Sequence, residues 1–222
     1  MDFYIYILAL ILVILSQSLL TNSYQKYRKV QTIRGLKGYE VANYILKHNG
    51  IYDVSVEPSN NGTLSDHYDP KRKIVSLSSD IYYNSSIASV AVAAHEVGHA
   101  IQHAQGYSFI ALRNMLLPAT QIASQLGWYS LIFGLMLAFE PLVWIGIVSL
   151  VIILLFQLIT LPIEFNASNR AIKQLTNLGI IELNETSAAR NVLNAAAFTY
   201  VASLLSTILH IIRILIRRNR RR

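Results

Sequence analysis

The sequence predicts a mostly α protein with a small β-sheet, set in a bundle of about four apolar, membrane-spanning helices. Three observations predict it. The chain of 222 residues is 53% hydrophobic and only 14% charged, whereas soluble domains carry roughly a quarter charged residues. Long apolar runs stand near the start, in the second half and at the end, and each is long enough to cross a bilayer. Between the first two runs lies a polar stretch that reads as helix, short strands and helix again.

The absence of cysteine excludes disulfides, cysteine nucleophiles and thiolate metal sites, so a transition metal would have to be held by His and carboxylate. The formal charge of +7 does not point to nucleic acid. The basic residues cluster beside apolar runs, as KYRK after the first and RRNRRR after the last, which is the pattern of membrane flanks. The expected partner is the lipid bilayer, and no nucleic acid is expected.

Residues 1–22 form the first element. FYIYILALILVILSQSLL has only Asp2 before it, and Lys26, Arg28, Lys29, Arg34 and Lys37 after it. A removable signal would have a basic start and a small-residue cleavage site. The run therefore reads as an uncleaved anchor, N-terminus outside, followed by a cytoplasmic part over residues 23–113. Within that part residues 24–50 read as helical, with Gly50 as a C-cap. YDVSVEP alternates as a half-buried strand does, SNNGTLSDHYDP is turn-rich, and KIVSLS (Lys73 to Ser78) supplies a second short strand. Asn84, Ser85 or Ser86 can then cap a helix running through IASVAVAAHEVGHAIQH to near Gly106.

Residues 114–162 hold an apolar block too long for one crossing. Phe139, Glu140 and Pro141 interrupt it, which predicts a hairpin of spanning helices over about 119–139 and 142–161 that leaves the cytoplasm and returns. Trp128 and Trp144 are lipid-facing or interfacial. Residues 163–190 then begin a new helix with IEFNASNRAI. Residues 191–222 are an apolar helix, carrying Asn194, His210 and Arg213, and a basic tail. If that helix spans, RRNRRR lies outside, against the positive-inside tendency. If it lies along the membrane the tendency holds, and the sequence leaves both open.

The chemistry concentrates in HEVGH. On a helix His95 and His99 project from one face a turn apart, so two imidazole nitrogens can meet one zinc ion. Glu96 can then reach a water on the metal and act as general base. The competing reading has His95 and His99 as satisfied buried histidines and Glu96 paired with a lysine or arginine. The setting favours the metal. Three acid–base groups on an apolar helix are expensive to bury without a partner, and Ala91, Ala93, Ala94, Gly98 and Ala100 let other elements approach closely.

His103 continues the i, i+4 series, but it lies about 12 Å along the helix axis from His95. A straight helix cannot bring all three imidazoles to one ion. Glu164 is the better third ligand, because a carboxylate where the hairpin re-enters the cytoplasm needs a partner; its alternatives are a pair with Arg170 or a helix cap. Three protein ligands with one open position would make a catalytic site, whereas a structural zinc is usually closed by four.

DHYDP, AAHEVGHAIQH, EFNASNRA and AAFTYVA, with the anchor and the hairpin, give the chain a resemblance to the YugP-like family of neutral zinc metallopeptidases of bacterial membranes. It is also similar, more distantly, to the HtpX and CAAX-prenyl-protease group, which likewise separates HExxH from a distal glutamate by membrane helices. The resemblance implies an α+β zincin-like catalytic part of gluzincin type, in which His95, His99 and Glu164 bind Zn2+ and Glu96 is the catalytic base. Two positions depart from these patterns. An Asp often stands where this chain has Asn166, and in the HtpX-like group an Asp that orients a ligand histidine stands where this chain has Ser168. A serine can still hydrogen-bond there, more weakly than a carboxylate.

The expected function is membrane-bound, zinc-dependent hydrolysis of peptide bonds in membrane or membrane-adjacent proteins, at the cytoplasmic face of the bacterial plasma membrane. The alternative is a catalytically inactive zinc-binding scaffold or assembly protein, and a zinc hydrolase of non-peptide substrates has no feature pointing to it. The intact Glu96 favours the first, since a structural site has no use for a general base. KIVSLS is either an edge strand that pairs with an extended peptide or an inner strand. DHYDP reads as a turn, though His67 or Tyr68 could stabilise an oxyanion. Arg113 and Arg170 are expected to meet headgroups or carboxylates.

Overall fold

The structure, a computed structural model, describes residues 2–60 and 62–219; the end of the basic tail, residues 220–222, lies outside the described residues. Its elements are α1 (Asp2–Tyr27), α2 (Gly38–His48), β1 (Ser55–Ser59), β2 (His67–Asp69), β3 (Ile74–Ser78), the one-turn α3 (Ser79–Tyr82), α4 (Ile87–Ala104), α5 (Ser108–Met136), α6 (Glu140–Asn177) and α7 (Leu183–Asn219). Helices dominate and the sheet is small, as expected. Three helices, α1, α6 and α7, are long and apolar enough to cross a membrane. The fourth long helix, α5, has 29 residues but is not in that set; Arg113, Asn114, Thr120, Gln121 and Gln125 dilute its first half.

The chain folds as two compact units, residues 1–17, 108–162 and 198–222 in one and residues 18–107 and 163–197 in the other. In the first unit, α5 and α6 meet through small residues. A Cβ on Gly127 would fall 2.7 Å from the Ser149 side chain, and one on Gly134 would fall 2.7 Å from the Val143 backbone nitrogen. Such close approach is how helices pack where lipid removes the hydrophobic drive. Phe3, Ile14, Trp128 and Phe133 face outward and are exposed, a surface that acyl chains accept and water penalises.

In the second unit the strand order is β1–β3–β2, with β1 parallel and β2 antiparallel to β3. KIVSLS is therefore the inner strand, with Ser55 opposite Ile74 on one side and Tyr68 opposite Val75 on the other. DHYDP is more than a turn: His67–Asp69 form the edge strand β2. Only its end turns, where the Asp69 carboxylate accepts the backbone N–H groups of Lys71 and Arg72, as Asx-type turns do. Three residues are too short to show a period in the sequence.

The core of this unit joins Val41 and Ile45 of α2, Val75 and Leu77 of β3, Ala91, Ala94 and Val97 of α4, and Leu175 of α6. Glu164 does not open a new helix. α6 runs unbroken through Pro162 from Glu140 to Asn177. The proline forfeits one backbone bond, a loss that long apolar helices tolerate.

Candidate metal centre

Helix α4 is held at both ends. The Ser86 hydroxyl accepts the Ser89 backbone N–H at 3.1 Å, and Gly106 beyond the C-terminus takes φ +63°, the left-handed conformation that ends helices cheaply. The N-terminal end of α4 is also tied to the 30–33 segment, where the Ile87 N–H donates to the Val30 carbonyl at 2.8 Å. His95 and His99 then share a face with Gly98, and that glycine decides what can approach. A Cβ there would lie 2.8 Å from the Ala167 carbonyl oxygen, so α4 and α6 touch backbone to backbone at this point. The contact sets Glu164 and Ser168, one turn apart on α6, opposite His95 and His99.

Three donors converge. His95 Nε2 and His99 Nε2 are 3.2 Å apart, and Glu164 Oε2 lies 3.3 Å from the first and 3.7 Å from the second. A tetrahedral ion with bonds of about 2.0–2.1 Å needs its ligands about 3.4 Å apart. The residues present fit zinc in type, number and spacing, and three donors leave the fourth position open.

The far side of each imidazole is held as well. His95 Nδ1 meets the Ser168 hydroxyl at 3.2 Å, so serine occupies the place where the resemblance leads one to expect a carboxylate. His99 Nδ1 donates to Gln102 Oε1 at 3.0 Å. An amide oxygen only accepts, so the proton sits on Nδ1 and the Nε2 lone pair faces the other donors. Gln102 is fully buried, and its Nε2 donates to the Ile163 carbonyl at 2.8 Å and to Asn166 Oδ1 at 2.9 Å. Arg170 Nε donates to the same Asn166 oxygen, and its Nη1 to Gln105 Oε1, both at 2.6 Å. Arg170 thus braces Asn166 and makes no pair with Glu164.

The charge around the donors is negative. Glu96, on α4 beside His95, is only 8% exposed and Glu164 only 5%. Among the described residues no lysine or arginine pairs with either. Burial works against a charge on His99, but Glu164 and Glu96 outweigh it and raise its pKa. Nearby, burial pushes the Asp66 carboxyl up to about 6, with the Glu96 charge adding to the shift against the Ser78 N–H that it accepts. Buried carboxylates beside two imidazoles whose Nε2 atoms converge form a donor set that a cation completes.

The structure therefore brings together His95, His99 and Glu164, with Glu96 alongside. His103 is not in the cluster; its Nδ1 bonds the Tyr68 hydroxyl at 2.9 Å. His67 is exposed and bonds the Ser65 carbonyl. Sequence reasoning missed Gln102. Its signal was there: residues 95, 99 and 102 stand at i, i+4 and i+7, one helical face.

The sequence profile of a family described as "Putative neutral zinc metallopeptidase" matches residues 3–219. The chain is 44% identical over 192 residues to "Putative membrane protease YugP" of Bacillus subtilis (strain 168), covering 86% of this chain and 85% of that one. No solved structure matches. The chain belongs to the family of neutral zinc metallopeptidases so described.

Proposed function

We propose that the protein is a membrane-bound zinc endopeptidase acting on membrane or membrane-adjacent proteins, with its site at the cytoplasmic face of the bacterial plasma membrane. The observation that carries the reading is the convergence of His95 Nε2, His99 Nε2 and Glu164 Oε2 within 3.7 Å of one another, with Glu96 next to His95 and, among the described residues, paired with no lysine or arginine. His95, His99 and Glu164 would hold the ion. Zinc, when bound, supplies a Lewis acid that polarises the scissile carbonyl and lowers the pKa of the attacking water. Glu96 takes the proton from that water and delivers it to the leaving amine nitrogen. Ser168 and Gln102 hold the two imidazoles in the orientation that points Nε2 inward.

The substrate backbone adds to the outer edge of β2, the antiparallel edge strand that packs against α4. Tyr68 on that strand and His103 on α4 sit together as polar contacts for it. The membrane placement is supported by α1, α6 and α7, by the basic residues that follow α1, and by the printed name of the relative, a membrane protease. In this topology the hairpin of α5 and α6 leaves the cytoplasm and returns, and α7 crosses in turn.

The test is cleavage of an unfolded protein substrate by the full chain in detergent micelles, wild type against Glu96→Gln, with zinc content measured on the same samples. The reading predicts equal zinc and loss of cleavage in the variant. Equal cleavage by both would end it, and zinc retention without cleavage by the wild type on any membrane protein offered would favour the scaffold instead.

A further inference from the structure

The unit made of residues 1–17, 108–162 and 198–222 holds a cavity of about 150 Å³ between α5, α6 and α7. Leu131 of α5 and Leu150 and Ile153 of α6 make its apolar walls, and α7 adds His210 and Arg213. These two side chains are three residues apart and share a helical face. Arg213 lies within two turns of the C-terminal end of α7, and His210 less than one turn further in. A guanidinium that faces apolar side chains is costly unless something pairs with it. Among the described residues, Arg213 meets the face of Tyr6, its guanidinium carbon 5.0 Å from the ring centroid, and His210 lies 6.4 Å from the same ring. No described carboxylate pairs with either. An aromatic face attracts a cation without neutralising it.

We propose that this cavity binds an anionic phospholipid of the surrounding bilayer, its phosphate held by Arg213 and His210 and an acyl chain lying along Leu131, Leu150 and Ile153. The inference goes beyond the peptidase reading and stands or falls apart from it. Three features select this occupant. Trp128 and Ile132 line the cavity and remain 61% and 46% exposed, so it opens sideways through apolar side chains, a route for an amphiphile and a barrier to a water-soluble anion. The charged side chain among its lining residues is Arg213, a cation, and a guanidinium offers a phosphate two parallel N–H donors, beside which the His210 ring can donate another. Its volume suits a phosphate and a short length of acyl chain, not a folded partner.

Trp128 is a built-in reporter. With Trp144→Phe it becomes the sole tryptophan of the chain. The full chain is reconstituted in phosphatidylcholine vesicles containing equal fractions of acyl-brominated phosphatidylglycerol or acyl-brominated phosphatidylcholine, and fluorescence quenching is compared. The proposal expects the anionic lipid to quench Trp128 several-fold more strongly, Arg213→Gln to abolish that preference and Arg213→Lys to keep most of it. Equal quenching by the two lipids, or a preference that survives Arg213→Gln, overturns it. If Arg213→Gln does not reconstitute, His210→Gln decides: a weakened preference supports the site and an unchanged one refutes it. Displacement of the phospholipid by an equal amount of unbrominated fatty acid would assign the cavity to a carboxylate ligand and overturn the phospholipid assignment.

Discussion

Replacing Gln102 by leucine isolates the support of the metal centre from the centre itself. The substitution keeps side-chain bulk at a fully buried position and removes the bonds to His99 Nδ1, the Ile163 carbonyl and Asn166 Oδ1. Asn166 retains its bond from Arg170, so the group left stranded is the His99 N–H. Each lost bond is worth about 1 kcal/mol net, and the stranded buried donor costs about 1–2 kcal/mol more. The added apolar burial returns about 1 kcal/mol, so the expected loss of stability is about 3–4 kcal/mol. With its tautomer no longer fixed, His99 should also bind metal more weakly, by roughly 10–100-fold as for other outer partners of ligand histidines. The assay is chelator-competition titration of zinc into metal-free protein in detergent, with thermal unfolding on the same samples. Unchanged zinc affinity in a folded Gln102→Leu protein would refute the claim that this amide orients His99.

Three further outcomes follow from the same geometry. Gly98→Ala should drive a methyl into the Ala167 carbonyl, 2.8 Å away, at a cost of about 1–3 kcal/mol; thermal unfolding and zinc content should fall together, because the displaced helix carries Glu164. Ser168→Ala should weaken zinc binding by removing the His95 partner, and Ser168→Asp should tighten it, since a carboxylate is the stronger acceptor; chelator competition reads both. Asp66, raised from 3.8 to about 6 in the folded state, binds its proton more tightly there than in the unfolded chain. Its favourable contribution is complete below about pH 4 and disappears as pH rises through 6. Metal-free Asp66→Asn should therefore gain on wild type between pH 4 and 7, by at most about 3 kcal/mol, and a stability difference flat across that range would contradict the assignment.

Much of this was legible in the residues because helical spacing is regular. His95, Glu96 and His99 announce themselves by period alone, Ser86 and Gly106 bound their helix, and a lone glutamate after an apolar hairpin is a group in search of a partner. What stayed hidden depends on packing between segments distant in sequence. Residues 163–190 read as a new helix, yet α6 runs through Pro162 without a break, and this continuity carries Glu164 and Ser168 on one rigid helix. β2 has three residues and shows no alternation, so KIVSLS could not be distinguished as inner or edge strand. His103 drew attention because it is a histidine, while Gln102, one residue earlier, is the one aimed at α6. An amide gains its meaning only from the imidazole, carbonyl and asparagine that surround it.

The central claim is that Glu164 completes a metal site begun by His95 and His99, and zinc content tests it most directly. Purified full chain, wild type, Glu164→Ala and His103→Ala are equilibrated with zinc, freed of excess metal and analysed for bound metal. Stoichiometric zinc in the wild type and in His103→Ala, with loss in Glu164→Ala, is the predicted result. Full zinc retention by a folded Glu164→Ala protein, or its loss in His103→Ala alone, would contradict the account.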